Sequence, residues 1–140
     1  MSIITILAII ALCLIGILHF YWAFGGGRWA DIAIPTMNGE RLINPGKIMT
    51  AVVGLVLFGF AFVAYVLCFL DLSSSLYRPH WITIGWVISV IFTLRSIGEF
   101  NTVGLFKKIK TTSFAFYDTR LYTPFAGSMG FIFAILAYRA

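Results

Sequence analysis

The sequence of residues 47–70 is KIMTAVVGLVLFGFAFVAYVLCFL, in which only the first side chain, Lys47, is charged. A hydrocarbon core about 30 Å thick requires about 20 apolar residues in a helix. This stretch is therefore long enough to span a bilayer, and it lacks the polar face that a surface helix needs. Three further stretches of this kind occupy about residues 3–24, 80–100 and 123–138. The sequence predicts an all-α, polytopic integral membrane four-helix bundle with short polar connections, forming a single transmembrane domain over residues 1–140.

The composition argues against a soluble protein. Of the 140 residues, 61% are hydrophobic and 11% are charged, whereas soluble domains have about a quarter charged residues. The net charge of +5 arises from bases at the ends of apolar segments, where they set topology and contact anionic headgroups. No basic stretch with interleaved aromatic residues favours nucleic acid binding. Cys13 and Cys68 lie within apolar stretches without metal-binding spacing, so neither a metal nor a cofactor is predicted.

Short sequence motifs predict a turn and two helix starts in the connections between the spans. Asn38-Gly39, within residues 34–43, predicts a tight hairpin. Asn44-Pro45 and Thr123-Pro124 each predict an N-cap followed by the first residue of a helix. These two pairs would open the second and fourth spans.

Small residues and basic residues predict packing and orientation. Gly85 with Ser89, and Ala126 with Gly130, are spaced to allow close helix approach within the bundle. The connections after spans one and three hold most of the bases, whereas the opposite side holds only two; the bases of these connections are Arg28, Arg41, Lys47, Lys107, Lys108, Lys110 and Arg120. The positive-inside rule therefore predicts both long connections in the cytoplasm and both termini outside.

Polar side chains collect at the same membrane face. Four crossings place the ends of spans one and three, and the starts of spans two and four, on one side. Ionisable groups within a span cost about 2.5 kcal/mol or more at the bilayer centre, so they invite a functional explanation. The candidate ligand-binding residues on this face are His19, Trp22, Arg95, Glu99, Asp118 and Arg120.

Each candidate also has a structural interpretation. Arg95 and Glu99, four residues apart on one predicted helix, would form an internal ion pair or extend to the interface. His19 would be a proton acceptor or ligand contact, or would bond a backbone carbonyl. Asp118 would cap a turn, or would lie opposite Arg95 with Glu99 beside it.

Three stretches of the sequence resemble a family of small four-helix bacterial membrane proteins catalogued as a domain of unknown function. They are HFYWAFGG at 19–26, RSIGEF at 95–100 with GLFKK at 104–108, and FAFYDTRLYTP at 114–124. The resemblance implies four helices and a bacterial cytoplasmic (inner) membrane. It implies no activity.

Several functions are compatible with this pattern. The first is binding of a small molecule or lipid headgroup at the polar cluster. The second is a membrane enzyme that uses His19, Glu99 or Asp118 as acid–base groups on a lipid-soluble substrate. The third is an accessory, structural or protective subunit, or a small transporter that acts as a homo-oligomer. Membrane lipid is the expected partner.

Overall fold

The computed structural model describes all residues, 1–140, and confirms an all-α fold with four long apolar helices. The helices are α1 (Ser2–Ala23), α2 (Ala30–Ala33), α3 (Lys47–Phe69), α4 (Arg78–Ile97), α5 (Ser113–Tyr117) and α6 (Thr123–Arg139). A π-helical turn, Asp118–Tyr122, joins α5 to α6 without a break, and two short strands are β1 (Thr36–Met37) and β2 (Glu40–Arg41). Helices α1, α3, α4 and the continuous segment Ser113–Arg139 are long and apolar enough to cross a membrane.

The long helices form two tightly packed pairs. Helix α1 packs against α3, and α4 packs against α6, while α3 joins the pairs by touching α4 and α6. In the first pair a Cβ atom on Gly54 would lie 3.0 Å from the carbonyl oxygen of Gly16. Glycine at both positions therefore allows the two backbones to approach closely.

The second pair uses the small residues as the sequence predicted. The Ser89 hydroxyl donates to the Gly130 carbonyl at 2.7 Å. A Cβ on Gly85 would lie 3.0 Å from the Cβ of Ala137, and Ala126 is buried. These spacings therefore serve packing within the bundle.

The predicted hairpin is confirmed between α2 and α3. Thr36 pairs with Arg41 and Met37 with Glu40. Asn38 and Gly39 both have positive φ, 52° and 82°, as a type I′ turn requires.

Neither X-Pro pair supplies the predicted N-cap, although the α-helical element α6 begins at Thr123, as predicted. Helix α3 begins at Lys47 with Gly46 as its N-cap, not Asn44. The fourth long helix begins at Ser113, where the Thr112 hydroxyl accepts from the Ala115 amide at 3.1 Å. A proline inside a helix lacks an N–H and crowds the preceding turn, and π turns are places where helices absorb such irregularities. The π turn before Pro124 lets the helix continue through Thr123.

Candidate functional site

Asp118 is the centre of a buried ionic network on the π turn. Its side chain is fully buried. Its Oδ1 atom accepts from Arg95 Nη2 at 2.8 Å, and its Oδ2 atom accepts from Lys107 Nζ at 2.8 Å. Oδ2 also accepts from the Gly104 amide at 2.9 Å and the Thr123 hydroxyl at 3.1 Å. We call these five residues the Asp118 cluster.

Two glycines bring the loop after α4 to this cluster. Gly98 ends α4 with φ 83°, and a Cβ there would lie 1.8 Å from the carbonyl oxygen of Val103. Gly104 has φ 90°, and its Cβ would lie 2.4 Å from the carbonyl oxygen of Ile97. No other residue type fits this geometry, which directs the Gly104 amide towards Asp118.

Glu99 organises the same loop and does not pair with Arg95. Helix α4 ends at Ile97, so the two residues do not share a helical face and the predicted ion pair is wrong. The Glu99 carboxylate accepts from the Thr102 hydroxyl and amide, and from the Val103 amide at 3.1 Å. The Thr102 hydroxyl, followed by its amide, lowers the pKa of Glu99.

Arg120 also lies apart from the Asp118 cluster. Its guanidinium carbon lies 3.8 Å from the centre of the Phe116 ring. Arg120 is exposed, so this is a cation–π contact on the outside of the helix.

His19 and Trp22 line a different site, a cavity of about 350 Å³ between α1, α2, the hairpin and the start of α3. We call it the His19 cavity. Its other lining residues are Gly26, Ala30, Ala33, Ile34, Arg41, Ile43, Asn44, Pro45, Met49, Thr50 and Val53.

The hydrogen bond of His19 indicates which nitrogen of its ring carries a proton. Nδ1 lies 2.8 Å from the Ile15 carbonyl oxygen, which can only accept, so Nδ1 carries a proton. In the neutral ring Nε2 is then an acceptor, and it has no partner in the protein. The Trp22 indole nitrogen donates to the Arg28 carbonyl at 2.8 Å, so Trp22 contributes an apolar ring.

One hydrogen bond joins the π turn that carries Asp118 to helix α2 beside the His19 cavity. The Tyr122 hydroxyl, on the π turn, donates to the Ile32 carbonyl at 3.2 Å. Ile32 belongs to α2, whose Ala30 and Ala33 line the His19 cavity. The π turn therefore supports one wall of the cavity.

The structure divides the predicted cluster. It brings Arg95 to Asp118 and His19 to Trp22, and it places Glu99 and Arg120 in neither group. Sequence reasoning assigned Lys107 to topology alone and overlooked it as a partner of Asp118. The available signal was a lysine three residues after Gly104, in the loop that follows Gly98.

The fold is that of a multi-pass helical membrane protein. A family model described as "Protein of unknown function (DUF3995)" matches residues 12–133, so the chain belongs to this family. The match confirms the resemblance to a family of unknown function. The chain matches none of the curated proteins or solved structures compared with it.

Proposed function

We propose that this membrane protein binds a small amphipathic molecule in the His19 cavity. One observation carries the proposal: a cavity of about 350 Å³ is lined by a histidine whose Nε2 atom has no hydrogen-bond partner in the protein. Ligand pockets occupy about 300–1,000 Å³ and combine apolar walls with few polar groups. The His19 cavity has both properties.

The lining indicates the chemistry of the ligand. Ile34, Met49 and Val53 offer an apolar wall. His19 Nε2 would accept a hydrogen bond from a hydroxyl or amine, while Arg41 is already paired with Asp31. The expected ligand has an apolar body and one hydrogen-bond donor.

The other polar residues support the cavity in this proposal. Asp118 and Arg95 bond one another, and Glu99 bonds its own loop. Because these carboxylates are engaged away from His19, binding is favoured over acid–base catalysis that combines them. In this proposal the cavity and the Asp118 cluster face the cytoplasmic side of a bacterial inner membrane, with both termini outside; the excess of basic residues in the two long connections supports that orientation.

Two amide variants test the role of Nε2. Asn at position 19 keeps a donor near Nδ1 but removes the Nε2 acceptor, whereas Gln carries its amide oxygen closer to Nε2. Native mass spectrometry of protein extracted from its own membrane would detect a retained small molecule. We expect His19→Asn to reduce the retained fraction about fivefold, the value of one hydrogen bond, and His19→Gln to reduce it less.

Two further variants complete the test. Ala33→Phe fills the cavity and is expected to abolish retention, while Arg120→Gln, outside both sites, is expected to leave it unchanged. Equal retention by the wild type, His19→Asn and Ala33→Phe would contradict the proposal.

A further inference from the structure

A second, smaller hollow of about 130 Å³ adjoins the Asp118 cluster. We call it the Lys107 hollow. Four of its six lining residues have polar side chains, and none is acidic; the residues are Gly104, Leu105, Lys107, Lys110, Thr119 and Thr123. It is separate from the His19 cavity, since the two share no lining residue.

The ionic network beside the hollow carries an excess of positive charge. Asp118 supplies one negative charge, and Arg95 and Lys107 supply two positive charges, so the group has a net charge of +1. No other carboxylate forms an ion pair with either cation. Lys107 and Asp118 are buried, whereas 36% of the Arg95 side chain is exposed, so the excess positive charge is only partly hydrated and attracts an additional anion.

Lys107 has a donor left to bind that anion. Its side chain is only 3% exposed. Of its three ammonium protons, one is donated to Asp118 at 2.8 Å and one to the Gly104 carbonyl at 3.0 Å. The third has no acceptor in the protein, and Lys107 and Lys110 both line the hollow.

The size and position of the hollow favour a phosphate group. A volume of about 130 Å³ accommodates a tetrahedral oxyanion but not a nucleotide. Phosphate oxygens form strong charge-assisted bonds with ammonium groups, and basic side chains near the ends of spans attract anionic headgroups. We propose that the Lys107 hollow binds a phosphate group, supplied either by an anionic lipid or by free phosphate.

Lys110 allows a test that leaves the Asp118 cluster intact. Lys107 itself cannot be replaced without removing a partner of Asp118, whereas Lys110 is exposed and forms no ion pair. Lys108 is the matched control because it is exposed, nearby and outside the lining. The proteins would be the wild type, Lys110→Gln and Lys108→Gln, each purified in maltoside micelles, which contain no phosphate.

Two ligands separate the two sources of phosphate. In one arm inorganic phosphate is titrated against chloride at constant ionic strength, and the thermal unfolding midpoint is followed. In the other arm phosphatidylglycerol is added, and native mass spectrometry counts the retained lipids. Saturable stabilisation by inorganic phosphate indicates a site for the free anion, whereas saturable binding of the lipid alone indicates a headgroup site.

The two lysine variants test whether the phosphate group binds in the Lys107 hollow. We expect Lys110→Gln to weaken the apparent affinity about fivefold, and Lys108→Gln to change it by less than about twofold. Absence of saturable binding in both arms, or equal effects of the two lysine variants, would overturn the proposal. His19→Asn should not alter phosphate binding, so failure at one site is distinguishable from failure at the other.

Discussion

Lys107 Nζ lies 2.8 Å from Oδ2 of Asp118, with 3% of the lysine side chain and none of the aspartate side chain exposed. On the other carboxylate oxygen, Arg95 extends the pair to α4. The Asp118 carboxylate therefore ties together helix α4, the loop that follows it and the π turn. Removal of one partner from such a buried group leaves the others with uncompensated charge.

Asp118→Asn is accordingly expected to destabilise the fold strongly. The substitution leaves Lys107 and Arg95 close together without a counter-charge, and loss of a buried partner costs about 3–5 kcal/mol. Equilibrium unfolding in detergent would measure the change in the free energy of unfolding. Asp31→Asn is the control, since its ion pair with Arg41 is exposed and is worth less than about 1 kcal/mol. If Asp118→Asn and Asp31→Asn lowered the free energy of unfolding by similar amounts, burial would not be what makes the Asp118 ion pairs important.

Gly98→Ala is expected to disrupt the loop that carries Gly104 and Lys107. A Cβ at position 98 would lie 1.8 Å from the Val103 carbonyl oxygen, in a backbone conformation with φ 83°. Strain of this kind costs about 1–3 kcal/mol even without a collision, so we expect a loss of at least about 2 kcal/mol. Gly59→Ala, with no atom within 4 Å of its Cβ, should be neutral or slightly stabilising. The same unfolding assay compares them, and a neutral Gly98→Ala would refute the close packing of the loop.

The order of residues 98–104 should depend on pH through Glu99. Bonds from the Thr102 hydroxyl and amide lower the pKa of Glu99 below its ordinary value of 4.5. The contribution of the ionised carboxylate is fully present above that value and is lost as pH falls through the lowered folded pKa. NMR titration of the Thr102 amide should therefore give a midpoint below 4.5, and Glu99→Gln should abolish the transition. A midpoint at or above 4.5 would be incompatible with these hydrogen bonds.

Tyr122→Phe should loosen the wall of the His19 cavity. The substitution removes the hydroxyl that donates to Ile32 at 3.2 Å and leaves the ring. Hydrogen exchange of peptides covering α2 and the hairpin should accelerate, while exchange in α4 stays unchanged. Tyr117→Phe is the control, since the Tyr117 hydroxyl has no hydrogen bond in the structure. Equal protection of α2 in the two variants would show that this bond does not hold the wall.

The features predicted correctly from sequence depend on local chemistry or on topology. The hairpin follows from the backbone conformations that Asn38 and Gly39 tolerate. The contact between Arg95 and Asp118 follows from the end of span three and the approach to span four lying on one face. Neither requires knowledge of side-chain packing.

The features that were missed depend on packing between distant segments. The helix start at Ser113 was hidden because Asp118 and Arg120 make that segment polar. In the structure the charge of Asp118 is paired with Arg95, and the Arg120 guanidinium stacks on the Phe116 ring, so both charged residues fit within the helical segment. Similarly, helix α4 ends just before Gly98, and glycine is common immediately after helix ends. Glu99 therefore lies beyond the helix and not on the helical face on which it was predicted.

The division of the predicted cluster has a simple geometric cause. Topology places His19 and Arg95 at the same level of the bundle but does not specify their lateral positions. Helix α1 packs with α3, whereas α4 packs with α6. His19 and Arg95 consequently belong to different helix pairs, and their neighbours form separate sites.

Both proposed sites depend on four membrane crossings, which place the two long connections on one face of the membrane. Cysteine labelling tests this topology most directly. Suitable positions are Gly27 and Lys108 in the two connections and Ser74 between α3 and α4, all exposed, with Cys13 and Cys68 replaced by alanine. Gly27 is preferred to Gly26, where a Cβ would lie 2.3 Å from the Tyr21 ring. With a membrane-impermeant maleimide, we predict labelling of Ser74→Cys alone in intact cells and of Gly27→Cys and Lys108→Cys together in inverted vesicles. Labelling of Gly27→Cys and Lys108→Cys from opposite sides would contradict the arrangement.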